Sequence, residues 1–399
     1  MWPSKTCLLL ALVCLLAACS DDDDNEQVSN DASATTRTIL AYIAAENSLS
    51  SAAVSDVNEM LAAASNLSAG DHLIVYIDNI QLPRIYNITY TTQASSLSAL
   101  TPVVSYDEEL DSADPDVLAD IIWWTINNYP ADSYGLILWS HASGWLPASS
   151  ASSSPRRTFA IDNSSNTTSN TGTEMELSDL ATVLEPYQWE FILFDACFMQ
   201  SMEVACELEG CTHYLIASPA EIPENGAPYT TLLPLLFADT FDAEAVVNAY
   251  VADYADSYGC LLSAIDYTYF EDFSTITEQL LETHAEELLA ADLDSALNYF
   301  DYDRYASRLA IPDAYDLKGV LLLATEEDEQ TAWQQLLDQA LYTVYSPTWY
   351  SAYPAKTLSV DEEQYSGISL FLPLEKYQSK HPEFLTAYAQ TTWGKRMTW

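Results

Sequence analysis

Two short apolar runs in this sequence end in residues that can carry out acyl chemistry together. Glu190-Phe191-Ile192-Leu193-Phe194-Asp195-Ala196 leads into Cys197, and Tyr134-Gly135-Leu136-Ile137-Leu138-Trp139-Ser140 leads into His141. A thiol becomes a nucleophile when a base within hydrogen-bond reach takes its proton, and a neighbouring strand can supply that base. Each run has the length and composition of a strand buried on both faces of a parallel sheet. The apolar positions after Cys197 (Met199, Met202, Val204, Leu208) follow a helical period, so the sequence predicts a helix that opens at the cysteine. The end of a strand at the start of a helix is where catalytic groups collect in open α/β sheets. Unpaired N–H groups at such a helix start favour the thiolate.

The elements that must position these residues alternate in type. Thr38 to Ala45, His72 to Asp78 and Tyr214 to Ser218 read as further buried strands, and Pro83 to Thr92 as part of a β-hairpin. Val54, Val57 and Leu61 mark one amphipathic helix, and Met175 to Tyr187 another. Asp114-Pro115 is a cap and first-turn pair that opens a helix running to about Asn127. This alternation predicts an α/β fold, a mainly parallel sheet with helices on both faces, over residues 37–230. Beyond about Thr230 long helical stretches (Ala243 to Tyr258, Phe270 to Ala290, Thr331 to Tyr345) surround two strand-like runs near Leu261 and Ile368. They read as a C-terminal α+β domain, residues 231–399, packed on the first.

Composition narrows the function. The 399 residues are 49% hydrophobic, enough for a large core. Against 59 acidic residues there are 13 Lys and Arg, a formal charge of −46. Nucleic acid is excluded as a partner, because its phosphates would be repelled. The same charge suits cationic substrates, or simply a solvated acidic surface. Lys5 precedes an apolar run from Cys7 to Ala18, too short to span a bilayer and of the length of a signal-peptide core, so residues 1–18 read as a leader. Residues 19–36 are polar and acidic and read as a disordered tether. Of seven cysteines, Cys197, Cys206, Cys211 and Cys260 lie beyond that region, too few for a disulfide framework in a chain this long. Cys206 and Cys211 are spaced either to pair or to stay as buried thiols. No zinc-site or EF-hand spacing is present, so no metal ligand is assigned.

His141-Ala142-Ser143-Gly144-Trp145 and Asp195-Ala196-Cys197-Phe198-Met199 resemble the catalytic blocks of the clostripain family of cysteine peptidases, which share the caspase-like fold. Tyr42 to Asn47, Ile216 to Pro219, Leu262 to Asp266 and Ser366 to Pro373 match further blocks in the same order. The resemblance implies an endopeptidase acting on protein or peptide substrates, with Cys197 as nucleophile and His141 as its partner. It implies oxyanion donors at the Cys197 N–H and around Ser143 and Gly144. It implies cleavage after Arg or Lys, read by Asp195 and a second acid, Glu224 or Glu221; Asn225 stands where the family has an aspartate. Asn47, from the first block, joins the substrate-binding set.

The same resemblance implies autocatalytic cleavage at Arg156 or Arg157, in the polar loop from Ala148 to Thr173, which reads equally as an inert surface insertion. No cofactor is required, although calcium activates some family members. Leu16-Ala17-Ala18-Cys19 resembles a bacterial lipoprotein cleavage site, implying a membrane anchor through lipidated Cys19. Asp21 to Asp24 resembles the export signal of surface lipoproteins in the Bacteroides group, implying an outer-membrane, surface-exposed protein. Ala142 and Gln200 stand where the family commonly has glycine. They keep two other readings open: a non-catalytic surface binding protein on a peptidase fold, and an acyl-transfer enzyme using the same pair.

Overall fold

The apolar runs assemble side by side. The computed structural model describes residues 36–146, 159–164, 168, 170, 172–305, 311–352 and 354–399. Cys19, Arg156 and Arg157, with the leader and tether, lie outside the described residues. Among the described residues the main sheet has nine strands. They are β1 (Arg37–Ala44), β2 (His72–Asp78), β3 (Arg84–Ile88), β4 (Val104–Ser105), β5 (Ser133–Trp139), β6 (Trp189–Asp195), β7 (Thr212–Ala217), β8 (Leu261–Asp266) and β9 (Leu341–Tyr345). Their order is β9-β8-β7-β6-β5-β1-β2-β3-β4. The five central strands, β7 to β2, pair in parallel, and antiparallel pairs extend both edges.

Each central strand is buried on both faces, which is why it reads as a continuous apolar run rather than an alternating one. In β1, Leu40, Tyr42 and Ala44 face one core, while Ile39, Ala41 and Ile43 face the other. The first core is closed by helices Pro115–Asn128, Leu177–Leu184, Met202–Glu207, Tyr267–Thr283 and Glu327–Ala340. The second is closed by Ser50–Ala63, Tyr229–Leu236 and Ala243–Tyr254. The predicted cap at Asp114 forms: its side chain accepts from the Asp116 N–H at 2.9 Å, and Pro115 opens the helix. Such a cap contributes about 1 kcal/mol.

The chain runs from β1 outward to β2 and then crosses to β5 on the other side of β1. The order therefore reverses between β1 and β5, and ligands in open α/β sheets bind beyond the strand ends at such a reversal.

Three expectations change. The helix after Cys197 does not open at the cysteine; it spans Met202–Glu207, capped by Ser201, so no helix N-terminus lies against the thiol. The stretch from Thr331 to Tyr345 is not one helix. It turns into β9 at Leu341, because Tyr342, Thr343, Val344 and Tyr345 are β-branched or aromatic and pair with β8. Finally, the sheet crosses the boundary placed near residue 230: β8 and β9 extend it beside β7, and residues 35–399 cluster as one compact unit.

Candidate active site

β5 and β6 are adjacent and parallel, with Trp139 opposite Asp195. His141 and Cys197 each follow two residues beyond that pair, so the register delivers both to the same end of neighbouring strands. Both line one cleft of about 520 Å³, together with Ser48, Asn170, Asp195, Glu224 and Gly226.

His141 is held from three sides. Ser140 Oγ donates to the Ala44 carbonyl at 2.7 Å, which ties the segment to β1. The Ala160 N–H donates to the His141 carbonyl at 3.1 Å, and Ala142 bridges to Phe159. The ring's Nε2 lies 2.9 Å from Ser48 Oγ. Asn170 donates to that same oxygen at 3.0 Å and accepts from the Ser48 N–H at 3.0 Å. The amide orientation leaves the serine hydrogen to donate to Nε2, an arrangement inferred from the network. Asn170 comes from the polar stretch between His141 and Cys197, which therefore reaches the cleft at that residue.

Cys197 sits in a tight turn rather than a helix. Phe198 adopts φ +61°, a left-handed conformation uncommon for a bulky residue. Strain of this kind persists where the surroundings over-determine it, often at functional sites. Here the Phe198 N–H donates to the Ala220 carbonyl at 2.9 Å and the Gln200 N–H to the Ser218 carbonyl at 3.0 Å. Gly144 packs beneath with φ +82°; a Cβ there would come within 2.9 Å of the Phe198 carbonyl oxygen. Ser143 and Gly144 line a small cavity of about 20 Å³ behind the turn with Phe198, not the main cleft.

At the base of the cleft Asp195 is buried. Its Oδ2 accepts from the Ala227 N–H at 2.8 Å and the Tyr229 hydroxyl at 2.7 Å. A second carboxylate lies beside it: Asp56, on helix Ser50–Ala63, accepts from the Trp139 indole at 2.7 Å. Gly226 touches both, since a Cβ there would lie 2.4 Å from Asp56 Oδ2 and 2.9 Å from Asp195 Oδ2. Burial, and then the Asp195 charge, push Asp56 far above the usual carboxylate range. Burial also raises Asp195, but three donors hold it lower. Both buried carboxyls therefore hold a proton more tightly than an exposed carboxylate does.

A model of the clostripain family matches residues 41–399. The chain belongs to the clostripain family. It is a cysteine peptidase on a caspase-like α/β fold. An inactive zymogen C11 protease from Parabacteroides distasonis superposes with a TM-score of 0.76 at 27% identity, over 92% of this chain and 99% of that one. A secreted C11 cysteine protease from Bacteroides thetaiotaomicron, in complex with an irreversible peptide inhibitor, gives 0.74 at 27% identity, over 90% and 98%. A third structure, also a secreted C11 cysteine protease from that species, gives 0.70 at 17% identity and bears on the fold alone. A search of curated proteins by sequence returns no match.

The peptidase uses some expected residues differently. Asn47 is buried, and its amide donates to the carbonyls of Ala44 and Ile161 while accepting from the Leu49 N–H. It fixes the chain before Ser48 instead of lining the cleft. Glu221 is engaged by the Ser351 hydroxyl and by the Ala352 N–H at 3.0 Å, which leaves Glu224 as the exposed acid at the cleft. Asn225 is exposed and absent from the cleft lining. Gln200 turns inward, where its amide donates to Ser263 Oγ at 2.7 Å, anchoring the Cys197 turn to β8.

Cys206, Cys211 and Cys260 are buried, unpaired thiols, all pushed upward by burial, Cys211 to about 11. Cys197 is the one partly exposed thiol among the described residues. Two residues of the site escaped the sequence. Ser48 looks like an ordinary loop serine, and Asp56 like a solvent-facing acid within a helix.

Proposed function

We propose that the peptidase cleaves peptide bonds after Arg or Lys through a Cys197–His141 dyad. Cys197 Sγ attacks the scissile carbonyl carbon and His141 takes the thiol proton. As the C–N bond breaks, His141 returns the proton to the leaving amine. Water then attacks the thioester, His141 takes its proton, and the acid product leaves as the S–C bond breaks. The observation that carries this reading is the in-register delivery of His141 and Cys197 to one cleft.

The preference for a basic residue is supported by the paired carboxyls of Asp195 and Asp56 at the cleft base and by the exposed acid Glu224 in its lining. Buried opposite charge recognises a cationic side chain better than a neutral one of similar size. The intact chain corresponds to a precursor in this reading: Asn170 ties the loop to Ser48, and cutting at Arg156 or Arg157 releases it. The similar zymogen supports that part. Lipidation at Cys19 then holds the enzyme at the outer membrane, facing outward, with its acidic surface keeping it soluble above the bilayer. The test is a panel of fluorogenic peptides ending in Arg, Lys or norleucine, run with the wild type and Cys197→Ala. Faster turnover of the norleucine peptide overturns the basic preference; turnover surviving Cys197→Ala overturns the nucleophile.

A further inference from the structure

The cleft has an apolar side that the proposed chemistry does not use. Ile222, Pro223 and Ala352 line it beside the acids. Ile222 and Pro223 belong to the loop after β7, and Ala352 follows a strand, Thr348–Ser351, that pairs with Lys356–Ser359 in a hairpin. Glu221 holds the two segments together, because the Ser351 hydroxyl and the Ala352 N–H both donate to its carboxylate.

Side chains alternate along a strand. Trp349 is therefore buried, against Tyr299, while Tyr350 points outward. Tyr258 stands beside it. The Tyr350 N–H donates to the Tyr258 carbonyl at 2.7 Å, and the two rings meet edge to face with centroids 6.1 Å apart. Gly259, with φ +69°, has no room for a Cβ against the Thr348 carbonyl, which keeps Tyr258 close to the strand. Just upstream, the Tyr254 hydroxyl donates at 2.6 Å to the carbonyl of Gly226, in the cleft lining. Both tyrosines thus stand on segments pinned to the cleft wall, yet Tyr258 is 49% exposed and Tyr350 42%. Two exposed tyrosine rings in contact offer large, rigid faces that lose little freedom when something packs on them.

We infer that Tyr258 and Tyr350 form a subsite for an apolar side chain of the substrate, on the N-terminal side of the cut bond. The direction rests on the dyad reading. The strands run β9-β8-β7-β6-β5, so from Cys197, after β6, His141 lies to one side, and the β7 loop and the hairpin after β9 lie to the other. His141 protonates the leaving amine, so the C-terminal part of the substrate departs on its side. The acyl part runs the opposite way, past Ile222, Pro223 and Ala352. That approach favours an aliphatic or aromatic side chain over a charged one. An extended peptide advances about 3.3 Å per residue, and Tyr350 precedes Ala352 by two positions, so the rings meet about the third or fourth residue before the cut bond.

The experiment compares kcat/KM of the active enzyme on a blocked single Arg fluorogenic substrate and on blocked pentapeptides ending in Arg. The pentapeptides carry Gly, Leu, Phe, Asp or Arg at the third or fourth residue before the cut. The expected result is a gain of about fivefold or more for Leu or Phe over Gly at one of those positions, mostly through KM. Tyr350→Ala, alone or with Tyr258→Ala, should reduce that gain below about twofold, and Tyr350→Phe should keep it. All three variants should cleave the single Arg substrate within about twofold of the wild type, which shows that they fold. If Tyr258→Ala fails there, Tyr350→Ala decides alone. Equal rates for Gly, Leu and Phe at both positions, a gain that survives the double variant, or Arg preferred to Leu at both positions overturns the subsite. Each of these outcomes leaves cleavage of the single Arg substrate intact. Turnover of that substrate by Cys197→Ala is the separate sign that the dyad has failed, and with it the direction assigned to the subsite.

Discussion

Trp139 and Asp195 face each other across two parallel strands, and two residues further along each strand's exit the chain presents His141 and Cys197 to a shared cleft. The same two residues also build the cleft floor. The Trp139 indole holds Asp56, and Asp56 lies against Gly226 beside Asp195. The proposed dyad and the acidic cleft floor thus descend from one register.

Ser48 is expected to act through His141. Ser48→Ala removes a hydrogen bond to the imidazole, and such bonds are worth about 0.5–1.5 kcal/mol. Steady-state kinetics on the Arg peptide should show kcat reduced by roughly threefold to tenfold with KM nearly unchanged. A change confined to KM would place Ser48 in substrate binding instead.

The two floor carboxylates should respond differently to neutralisation. Burial and the Asp195 charge raise Asp56 far above the usual carboxylate range, so Asp56→Asn should leave the Arg preference at pH 7 within about threefold. Asp195→Asn should remove most of it. Because Asp195 is raised from the ordinary range, the wild-type preference for Arg over norleucine should fall as pH drops below neutral and the carboxylate protonates. Ratios of kcat/KM between the two peptides from pH 5 to pH 8 check this.

Gly226→Ala should damage both fold and floor. The position has φ +69°, and the added methyl meets both carboxylates. Left-handed strain alone costs about 1–3 kcal/mol. Urea denaturation should show at least that loss, and the variant's KM for the Arg peptide should rise. A variant as stable and as tight as the wild type would refute the floor geometry.

Glu203 gives a stability signature away from the cleft. It is buried behind the Cys197 turn, accepts from the Phe371 N–H at 2.9 Å, and is pushed up to about 7 by burial. Unfolded, a glutamate ionises near ~4.3. Between those values the folded chain holds the extra proton, so this group's contribution is present at low pH and is lost as pH rises to 7. Melting temperatures from pH 4.5 to 7.5 should fall less steeply in Glu203→Gln than in the wild type.

Much of this was readable from residue order because doubly buried strands advertise themselves as unbroken apolar runs. β5 and β6, and the ionisable residues ending them, are of that kind. The turn at Cys197 was not readable, since Met199 and Met202 fit a helical period while the left-handed Phe198 leaves no mark in sequence. β9 follows helix Glu327–Ala340 with no breaker between them, so local pattern merged the two. Asp56 and Ser48 gain their roles only from residues far along the chain, Asp195 and His141. Asn47 illustrates the converse: a polar residue in a matching block proves to be a clamp on backbone carbonyls.

The most direct test of the central claim is a double-mutant comparison on the Arg peptide using Cys197→Ala, His141→Ala and the double variant. A thiol and imidazole acting as one unit predict that each single change lowers kcat/KM by about 10³-fold or more and that combining them adds little. Losses that multiply, or either single variant retaining activity within about tenfold of wild type, would contradict it.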